Sequence, residues 1–177
     1  MRQIVLLRGI NLGATNRVAM PALRELLGER GFEDVRTYVQ SGNIVLRSGL
    51  SPARLADECR RAIAERFGLE IDVLARTRDE LAEVVARNPL GEVAVNPKRY
   101  QVTFLSNELN PSQVEELHSL AAGPERVVVL GREVYAWHPD GVARSKLWAR
   151  LGSKGLGVPA TSRNWSTVTT LLEMTDA

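Results

Sequence analysis

The sequence has a single cysteine and two histidines among its 177 residues, and only 5% of its residues are aromatic. One cysteine excludes an intramolecular disulfide and is more typical of a reducing compartment than of a secreted protein. The apolar run near the N-terminus ends at Arg8, and a run of this length is too short for a signal peptide. No apolar run approaches the roughly 20 residues needed to span a bilayer. We therefore expect a cytoplasmic protein that does not cross a membrane.

Several sequence motifs of known chemistry are also missing. Cys59, His118 and His138 are far apart and lack the spacing of metal ligands. The glycines that follow the first apolar run match neither a Walker A motif nor a dinucleotide-binding fingerprint. A Gly-x-Ser-x-Gly serine hydrolase motif is absent as well. We therefore expect no metal and no cofactor.

Carboxylates are absent from two segments that are rich in arginine, lysine and glycine. Residues 1–24 hold four arginines and no acidic residue, and residues 141–165 hold five basic residues and no acidic residue. Ordinary solvated side chains are one explanation. The other is a surface that binds anions, which the shared loop character of the two segments favours.

The order of predicted elements indicates an α+β fold. In the first half, apolar and alternating segments predict strands at 3–8, 35–40, 43–47 and 70–75, with helices that begin at Pro21, Ser51 and Thr77. This is the order of a ferredoxin-like unit followed by one more helix. The second half repeats the start of this order, with strands at 100–105, 126–130 and 133–137, helices at 111–120 and 145–151, and a last helix from Asn164.

The predicted fold is therefore two ferredoxin-like lobes with antiparallel sheets, the second incomplete, plus a C-terminal helix. We expect a first domain at 1–88 with the extra helix, a connector at 89–98 that contains Pro89, Gly91 and Pro97, and a second domain at 99–177.

The predicted topology brings two polar loops to one edge of the first sheet. Its strand order, 4-1-3-2, makes strands one and two run in the same direction, so that their ends lie together. The loop after strand one should then adjoin the turn after strand two. The polar residues gathered there are Arg8, Asn11, Asn16, Arg17, Gln40, Ser41 and Asn43. For Gly42 and Asn43 alone, a purely structural role in the turn is the preferred interpretation.

A third polar segment precedes the last helix. Asn164 can cap that helix, and the free amides at such a terminus attract anions. Thr161 and Arg163 add side-chain donors, and Lys146 belongs to the same basic segment. Plain helix capping, with Trp165 in the core, is the alternative.

The residues also resemble a known family, the domain of unknown function 1697 family. The segments that carry the resemblance are 6–13, Met20, 31–32, 35–38, 40–43, 88–89, 145–147 and 161–168. The resemblance implies a bacterial protein with a two-lobed ferredoxin-like α+β fold, and it implies no activity, cofactor or catalytic residue. This chain has Ala14 where the family usually has a second glycine, which argues against a very close approach of a ligand to that backbone.

Three functions are consistent with these features. The first is a binding site, with or without catalysis, for a phosphate-bearing or other anionic small molecule. Neither basic segment supplies a histidine or a carboxylate, so a reaction there would depend on positioning and charge. The second is binding to the nucleic-acid backbone, although strands one and three carry no aromatic residue for stacking. The third is a structural or protein-interaction module that pairs through strand edges. The sequence does not define the oligomeric state.

Overall fold

The computed structural model describes residues 1–177 and divides them into two compact units. Unit 1 consists of Met1–Ala82 and Leu171–Ala177, and unit 2 consists of Glu83–Thr170. Helices α3 (Arg78–Arg87) and α6 (Trp165–Asp176) each contain residues of both units. None of the α-helices combines the length and the apolar character needed to cross a bilayer.

Unit 1 has a four-stranded antiparallel sheet. Its elements are β1 (Arg2–Leu7), α1 (Met20–Glu29), β2 (Glu33–Tyr38), β3 (Asn43–Arg47), α2 (Pro52–Phe67) and β4 (Val73–Thr77), followed by α3. The strand order is β2-β3-β1-β4, and β1 pairs antiparallel with both β3 and β4. The sheet therefore has the topology that the sequence predicts.

Local signals in the sequence define the helices of unit 1. The Ser51 side chain caps α2 by accepting a hydrogen bond from the Arg54 amide, and Pro52 fills the first helical position. Gly68 ends the helix in the left-handed conformation, with φ +66°. The apolar side of α2 packs with α1 and one face of the sheet in a core that includes Val5, Leu7, Leu23, Leu27, Ile44, Leu55, Cys59 and Ile63.

Unit 2 repeats the same order of strands and helices. Its elements are β5 (Tyr100–Leu105), α4 (Pro111–Leu120), β6 (Arg126–Leu130), β7 (Glu133–Trp137), α5 (Lys146–Leu151), a short 3₁₀ helix (Lys154–Leu156) and β8 (Ala160–Asn164). The strand order is β6-β7-β5-β8. The core of this unit contains Leu105, Leu117, Val134, Ala136, Leu147 and Leu151.

The predicted fold class, α+β with two ferredoxin-like lobes and a C-terminal helix, is confirmed, with one correction. The second sheet, expected to be incomplete, has its fourth strand in β8. This strand pairs with β5 from Leu105↔Ala160 to Gln101↔Asn164. Its sequence is almost entirely polar, so no apolar alternation marks it as a strand, and its pairing with a distant partner defines it.

The C-terminal residues belong to unit 1 rather than to unit 2. Arg78 forms an ion pair with Asp176 at 2.8 Å, and the Arg36 guanidinium donates a hydrogen bond of 2.7 Å to the Met174 carbonyl. The expected second domain, by contrast, contained all of residues 99–177. The boundaries of independently folding domains stay a prediction.

Candidate functional site

The loop between β1 and α1 is anchored at both ends and exposed in the middle. Ile10 and Val18 are 2% and 3% exposed and belong to the core of unit 1. Between them the chain turns back sharply, with the Thr15 amide donating to the Leu12 carbonyl at 3.1 Å. The buried anchors hold residues 12–15 out in solvent in a defined conformation.

Asn11 joins this loop to the turn that follows β2. Its amide nitrogen, Nδ2, donates to the Val18 carbonyl at 2.9 Å and to the Gln40 carbonyl at 2.7 Å. Its carbonyl oxygen, Oδ1, accepts a hydrogen bond of 2.8 Å from the Val18 amide. The predicted meeting of the two polar loops at one edge of the sheet is therefore confirmed.

Four residues of the loop have left-handed backbone conformations. These are Gly9 (φ +69°), Asn11 (φ +54°), Gly13 (φ +60°) and Asn16 (φ +50°). Asparagine tolerates this region better than most residues with a side chain. The Asn11 amide donates to the Asn16 carbonyl at 3.0 Å, and the Asn16 side chain donates to the Gly9 carbonyl at 3.2 Å. The loop thus folds back on itself, and a methyl group at Gly9 or Gly13 would meet nothing within 4 Å.

The turn after β2 contributes both structural and exposed residues. Asn43 is buried, and its side chain donates to the Tyr38 carbonyl and to the Ser41 hydroxyl at 3.2 and 3.1 Å. Its hydrogen bonds hold the turn, in agreement with the structural interpretation of this residue. The Gln40 and Ser41 residues are exposed beside the β1–α1 loop.

The two arginines of this region differ in their electrostatic surroundings. Arg8 is 21% exposed and lies 3.8 Å from the Asp72 carboxylate, which offsets its charge. Arg17 is exposed and donates to the Gly13 carbonyl at 2.8 Å, and it pairs with no carboxylate. We call the region formed by residues 8–17 and 39–41 the loop surface. Arg17 is the cation of this surface without an acidic partner.

The sequence did not predict that two apolar residues of the loop surface, Leu12 and Val39, are exposed. The alternating pattern of the predicted strand 35–40 puts Val39 on the same face as Val35 and Thr37. In the structure β2 ends at Tyr38, and Val39 has φ +51° and is 53% exposed. Leu12 is also exposed, at 67%. Periodicity could not reveal either one, because both lie beyond the regular strands.

The predicted residues of unit 2 lie on β8 and at the start of α6. Arg163 donates to the Thr161 hydroxyl at 2.7 Å and to the Ser162 carbonyl at 2.9 Å. Burial lowers the pKa of Arg163 to about 10. Asn164 caps α6 by accepting a hydrogen bond of 2.9 Å from the Thr167 amide. The structure therefore brings Thr161 and Arg163 together and gives Asn164 the capping role.

Lys146 occupies a different part of unit 2. It is the first residue of α5 and is exposed, and its side chain makes no hydrogen bond or ion pair. Of the other basic residues in its segment, Arg150 pairs with Glu116 at 2.8 Å, and Arg144 is exposed without a partner. No hydrogen bond joins Lys146 to Thr161, Arg163 or Asn164.

Unit 2 also contains a hydrogen-bonded cluster that the sequence did not reveal. One carboxylate oxygen of Glu125 lies 2.6 Å from Nδ1 of His138 and accepts a hydrogen bond of 2.6 Å from the Ser145 hydroxyl. The same hydroxyl accepts from the Trp148 amide at 3.0 Å and so caps α5. Glu125 lies 13 residues before His138 and 20 residues before Ser145, and only the capping role of Ser145 has a local signal.

This cluster does not have the geometry of a catalytic triad. In a triad the serine contacts Nε2 of the histidine and the acid contacts Nδ1. Here the Ser145 hydroxyl bonds to the carboxylate directly, and Nε2 of His138 is buried without a hydrogen-bond partner. A pocket of about 510 Å³ opens beside the cluster and is lined in part by Glu125, Arg144 and Ser145. The cluster therefore fixes the start of α5 in one wall of that pocket.

The lone cysteine has the environment of a core residue. Cys59 is fully buried in α2, and burial raises the pKa of its thiol to about 12. A thiol with such a pKa stays protonated at neutral pH, and the thiolate is the reactive form of cysteine. Cys59 thus has neither the access nor the charge of a nucleophile.

Comparison with known proteins identifies the family and the fold. The family described as "Protein of unknown function (DUF1697)" matches residues 1–135, which include the whole loop surface. The segment 161–168, part of the predicted resemblance, lies outside the matched range. No curated protein matches the chain.

A solved structure, that of the conserved bacterial protein SP0830 from Streptococcus pneumoniae, is similar over nearly its full length. The TM-score is 0.78 at 24% sequence identity, with 98% of each chain covered. At this level of identity the likeness shows the fold alone. The family match, which covers more than half of the chain, is the stronger result: the chain belongs to the DUF1697 family of proteins of unknown function.

Proposed function

We propose that the loop surface binds a small molecule that carries a phosphate or a similar anionic group. The observation that carries the proposal is the state of Arg17, an exposed guanidinium with no carboxylate partner beside a loop that Asn11 holds in one conformation. Guanidinium groups bind phosphate and carboxylate oxygens through paired, charge-assisted hydrogen bonds. Arg17 is therefore the expected anchor for the anion.

The order of the loop supports the proposal energetically. Its ends are buried, and the Asn11 side chain makes three hydrogen bonds to the backbone across it. A site that is ordered before binding avoids much of the entropic cost of ordering its groups around a ligand. Residues held in sparsely populated backbone regions also concentrate at functional sites. Two such non-glycine residues, Asn11 and Asn16, lie in this loop.

The groups available at the loop surface favour binding over acid–base chemistry. Besides Arg17, the exposed side chains include Thr15 and Gln40, which provide neutral hydrogen-bonding groups. The Asp72 carboxylate at its edge is engaged with Arg8. A reaction at this surface would therefore depend on charge stabilisation and positioning. A cytoplasmic location, expected from the single cysteine, remains part of the proposal, and the predicted roles of Lys146, Thr161, Arg163 and Asn164 stay predictions.

A thermal-shift screen of inorganic phosphate, pyrophosphate, sugar phosphates and nucleotides tests this function. A ligand at a hundred times its Kd adds about 2.7 kcal/mol of stability, which is a Tm rise of roughly 5–10 °C for a chain of this size. Arg17→Ala should abolish the rise. Arg54→Ala is the matched control, because Arg54 is an exposed arginine of unit 1 on α2 whose side chain makes no hydrogen bond. Equal shifts in both variants would exclude the loop surface as the binding site.

Thermal-shift titration with oligonucleotides distinguishes binding of a small anion from binding of nucleic acid. Oligonucleotides of single- and double-stranded DNA and RNA are titrated at two salt concentrations. Binding through several backbone phosphates weakens steeply with salt, whereas a single phosphate at Arg17 gives a shallow dependence. Tight, steeply salt-dependent binding of oligonucleotides without binding of mononucleotides would replace the small-molecule proposal with the nucleic-acid one.

A further inference from the structure

The segment between β7 and α5 in unit 2 folds as two consecutive β-turns whose outer ends bind one carboxylate. The Gly141 amide donates to the His138 carbonyl at 2.9 Å, and the Ser145 amide donates to the Val142 carbonyl at 3.1 Å. Nδ1 of His138 and the Ser145 hydroxyl each lie 2.6 Å from the same carboxylate oxygen of Glu125. The Glu125 side chain therefore holds the first residue of one turn and the last residue of the other.

Two side chains of opposite charge occupy equivalent places in these turns. Asp140 is the third residue of the first turn, and Arg144 is the third residue of the second. Both are exposed, and both line the pocket of about 510 Å³ beside Glu125. Neither side chain forms a hydrogen bond or an ion pair, with the other or with any further residue. The pocket thus presents one unpaired carboxylate and one unpaired guanidinium.

The remaining charged group of the pocket is already engaged. One oxygen of Glu125 binds His138 and Ser145, and the other accepts a hydrogen bond of 3.2 Å from the Ala122 amide. A ligand with only negative charge would share the pocket with two carboxylates, and a ligand with only positive charge would share it with Arg144. A molecule that carries both charges can satisfy Asp140 and Arg144 together.

We propose that this pocket binds a small zwitterion of the class of free amino acids. The ammonium group of the ligand binds the Asp140 carboxylate, and its carboxylate binds the Arg144 guanidinium, which is suited to paired hydrogen bonds with carboxylate oxygens. The pocket volume lies within the range of small-molecule sites. Ala122 and Ala143 add an apolar part to its lining. This site is independent of the loop surface, because its residues belong to unit 2 and those of the loop surface to unit 1.

An NMR titration of the ¹⁵N-labelled protein with each of the protein amino acids tests the inference. At least one amino acid should cause saturable shifts in the amide signals of residues 122–125 and 140–145. For the amino acid that binds most tightly, Asp140→Asn and Arg144→Gln should each raise the Kd about tenfold, because each removes a charge-assisted contact. Lys146→Gln is the control for the loss of a cation, since Lys146 is exposed and unpaired but does not line the pocket.

Analogues of that amino acid separate the contributions of its two charges. The analogue without the amino group and the analogue without the carboxyl group should each bind about tenfold more weakly. Equal affinity for the amino acid and the analogue without the amino group would make the pocket a plain anion site and overturn the inference.

Two further outcomes overturn the inference. One is the absence of saturable shifts at these residues with every amino acid, and the other is binding of phosphoethanolamine without binding of any amino acid. The variant Arg17→Ala distinguishes this site from the loop surface, because it should leave amino-acid binding unchanged while it abolishes phosphate binding at the loop surface. The two proposals can therefore fail separately.

Discussion

Gly42 lies against the side chain of Leu7 so closely that a Cβ at Gly42 would stand 2.7 Å from the Leu7 Cβ. The same Cβ would be 3.0 Å from Cδ1 of Ile10. Gly42 also has φ +81°, a conformation that residues with a side chain rarely adopt. The contact joins the turn after β2 to the end of β1, which is the junction on which the loop surface is built.

Gly42→Ala should therefore destabilise the protein strongly. The left-handed backbone costs an alanine about 1–2 kcal/mol, and overpacking against Leu7 adds about 1–3 kcal/mol. Urea denaturation would show the loss as a lower midpoint. Gly28→Ala in α1 is the control, because its new methyl group meets nothing within 4 Å. Alanine should stabilise that helical position by about 0.5–1 kcal/mol. Equal effects at the two glycines would contradict the packing argument.

Asn11 should contribute to the free energy of unfolding in two ways: its side chain makes hydrogen bonds, and asparagine tolerates the left-handed backbone conformation at this position. Asn11→Gly keeps the left-handed backbone but removes three hydrogen bonds, and leaves the Val18 amide without its acceptor. An unsatisfied donor of this kind costs about 1–3 kcal/mol. Asn11→Ala should cost about 1 kcal/mol more, because alanine also resists the positive φ. The free energies of unfolding from urea titration measure both terms. Equal stability of the two variants would show that the backbone conformation is not maintained.

Relief of the strain at Val39 should stabilise the protein. Asparagine adopts the left-handed region more readily than valine does, so Val39→Asn should raise the free energy of unfolding by about 1 kcal/mol. Val95→Asn serves as the control, since Val95 is more exposed and has no positive φ. That substitution should change stability by less than about 0.5 kcal/mol. A destabilised Val39→Asn variant would mean that the valine side chain has a packing role in the free protein.

Glu125 should make the protein sensitive to acid. Burial by itself raises the pKa of Glu125, but the hydrogen bonds from Ser145 and His138 act in the opposite direction and prevail. The net pKa of Glu125 therefore lies below the ordinary value for glutamate. A carboxyl group whose pKa is lowered by folding stabilises the protein above its unfolded pKa, about 4.3. That contribution disappears as the pH falls through the folded pKa.

The corresponding experiment compares the wild type with Glu125→Gln in urea denaturation between about pH 6 and pH 3. The stability advantage of the wild type should shrink as the pH falls below about 5. Glu115→Gln is the control, because Glu115 is exposed on α4 and its carboxylate makes no hydrogen bond. A constant difference between wild type and Glu125→Gln across this range would show that the carboxylate is not held by the cluster.

The parts of the fold that follow from the sequence are those with local causes. Ser51 and Pro52 begin α2, Gly68 ends it, and the apolar stripe between them predicts its buried side. In this strand order β1 and β2 run in the same direction. The loop after β1 and the turn after β2 are therefore predicted to meet at one edge of the sheet. That prediction needs no knowledge of side-chain positions, and the hydrogen bond from the Asn11 side chain to the Gln40 carbonyl confirms it.

The parts that the sequence did not predict depend on distant partners. Strand β8 is polar, and only its pairing with β5 makes it a strand. Val39 fits an alternating pattern, but the tight turn before Gly42 removes it from the strand. Glu125 comes from the loop before β6, His138 and Ser145 come from the loop between β7 and α5, and the two loops meet only in the folded unit. The charge distribution predicted that arginines would contribute to an anion site. Only the structure shows that Arg8 is paired with a carboxylate and that Arg17 is not.

An NMR titration of the ¹⁵N-labelled protein with inorganic phosphate detects anion binding at the loop surface residue by residue. We expect saturable shifts in the amide signals of residues 9–17 and 39–42, which Arg17→Ala abolishes and Arg54→Ala leaves intact. Because a single exposed guanidinium anchors the anion, the shifts should also weaken as sodium chloride is added. Absence of saturable shifts, or shifts confined to the segment around Arg144 and Lys146, would show that the loop surface is not an anion site.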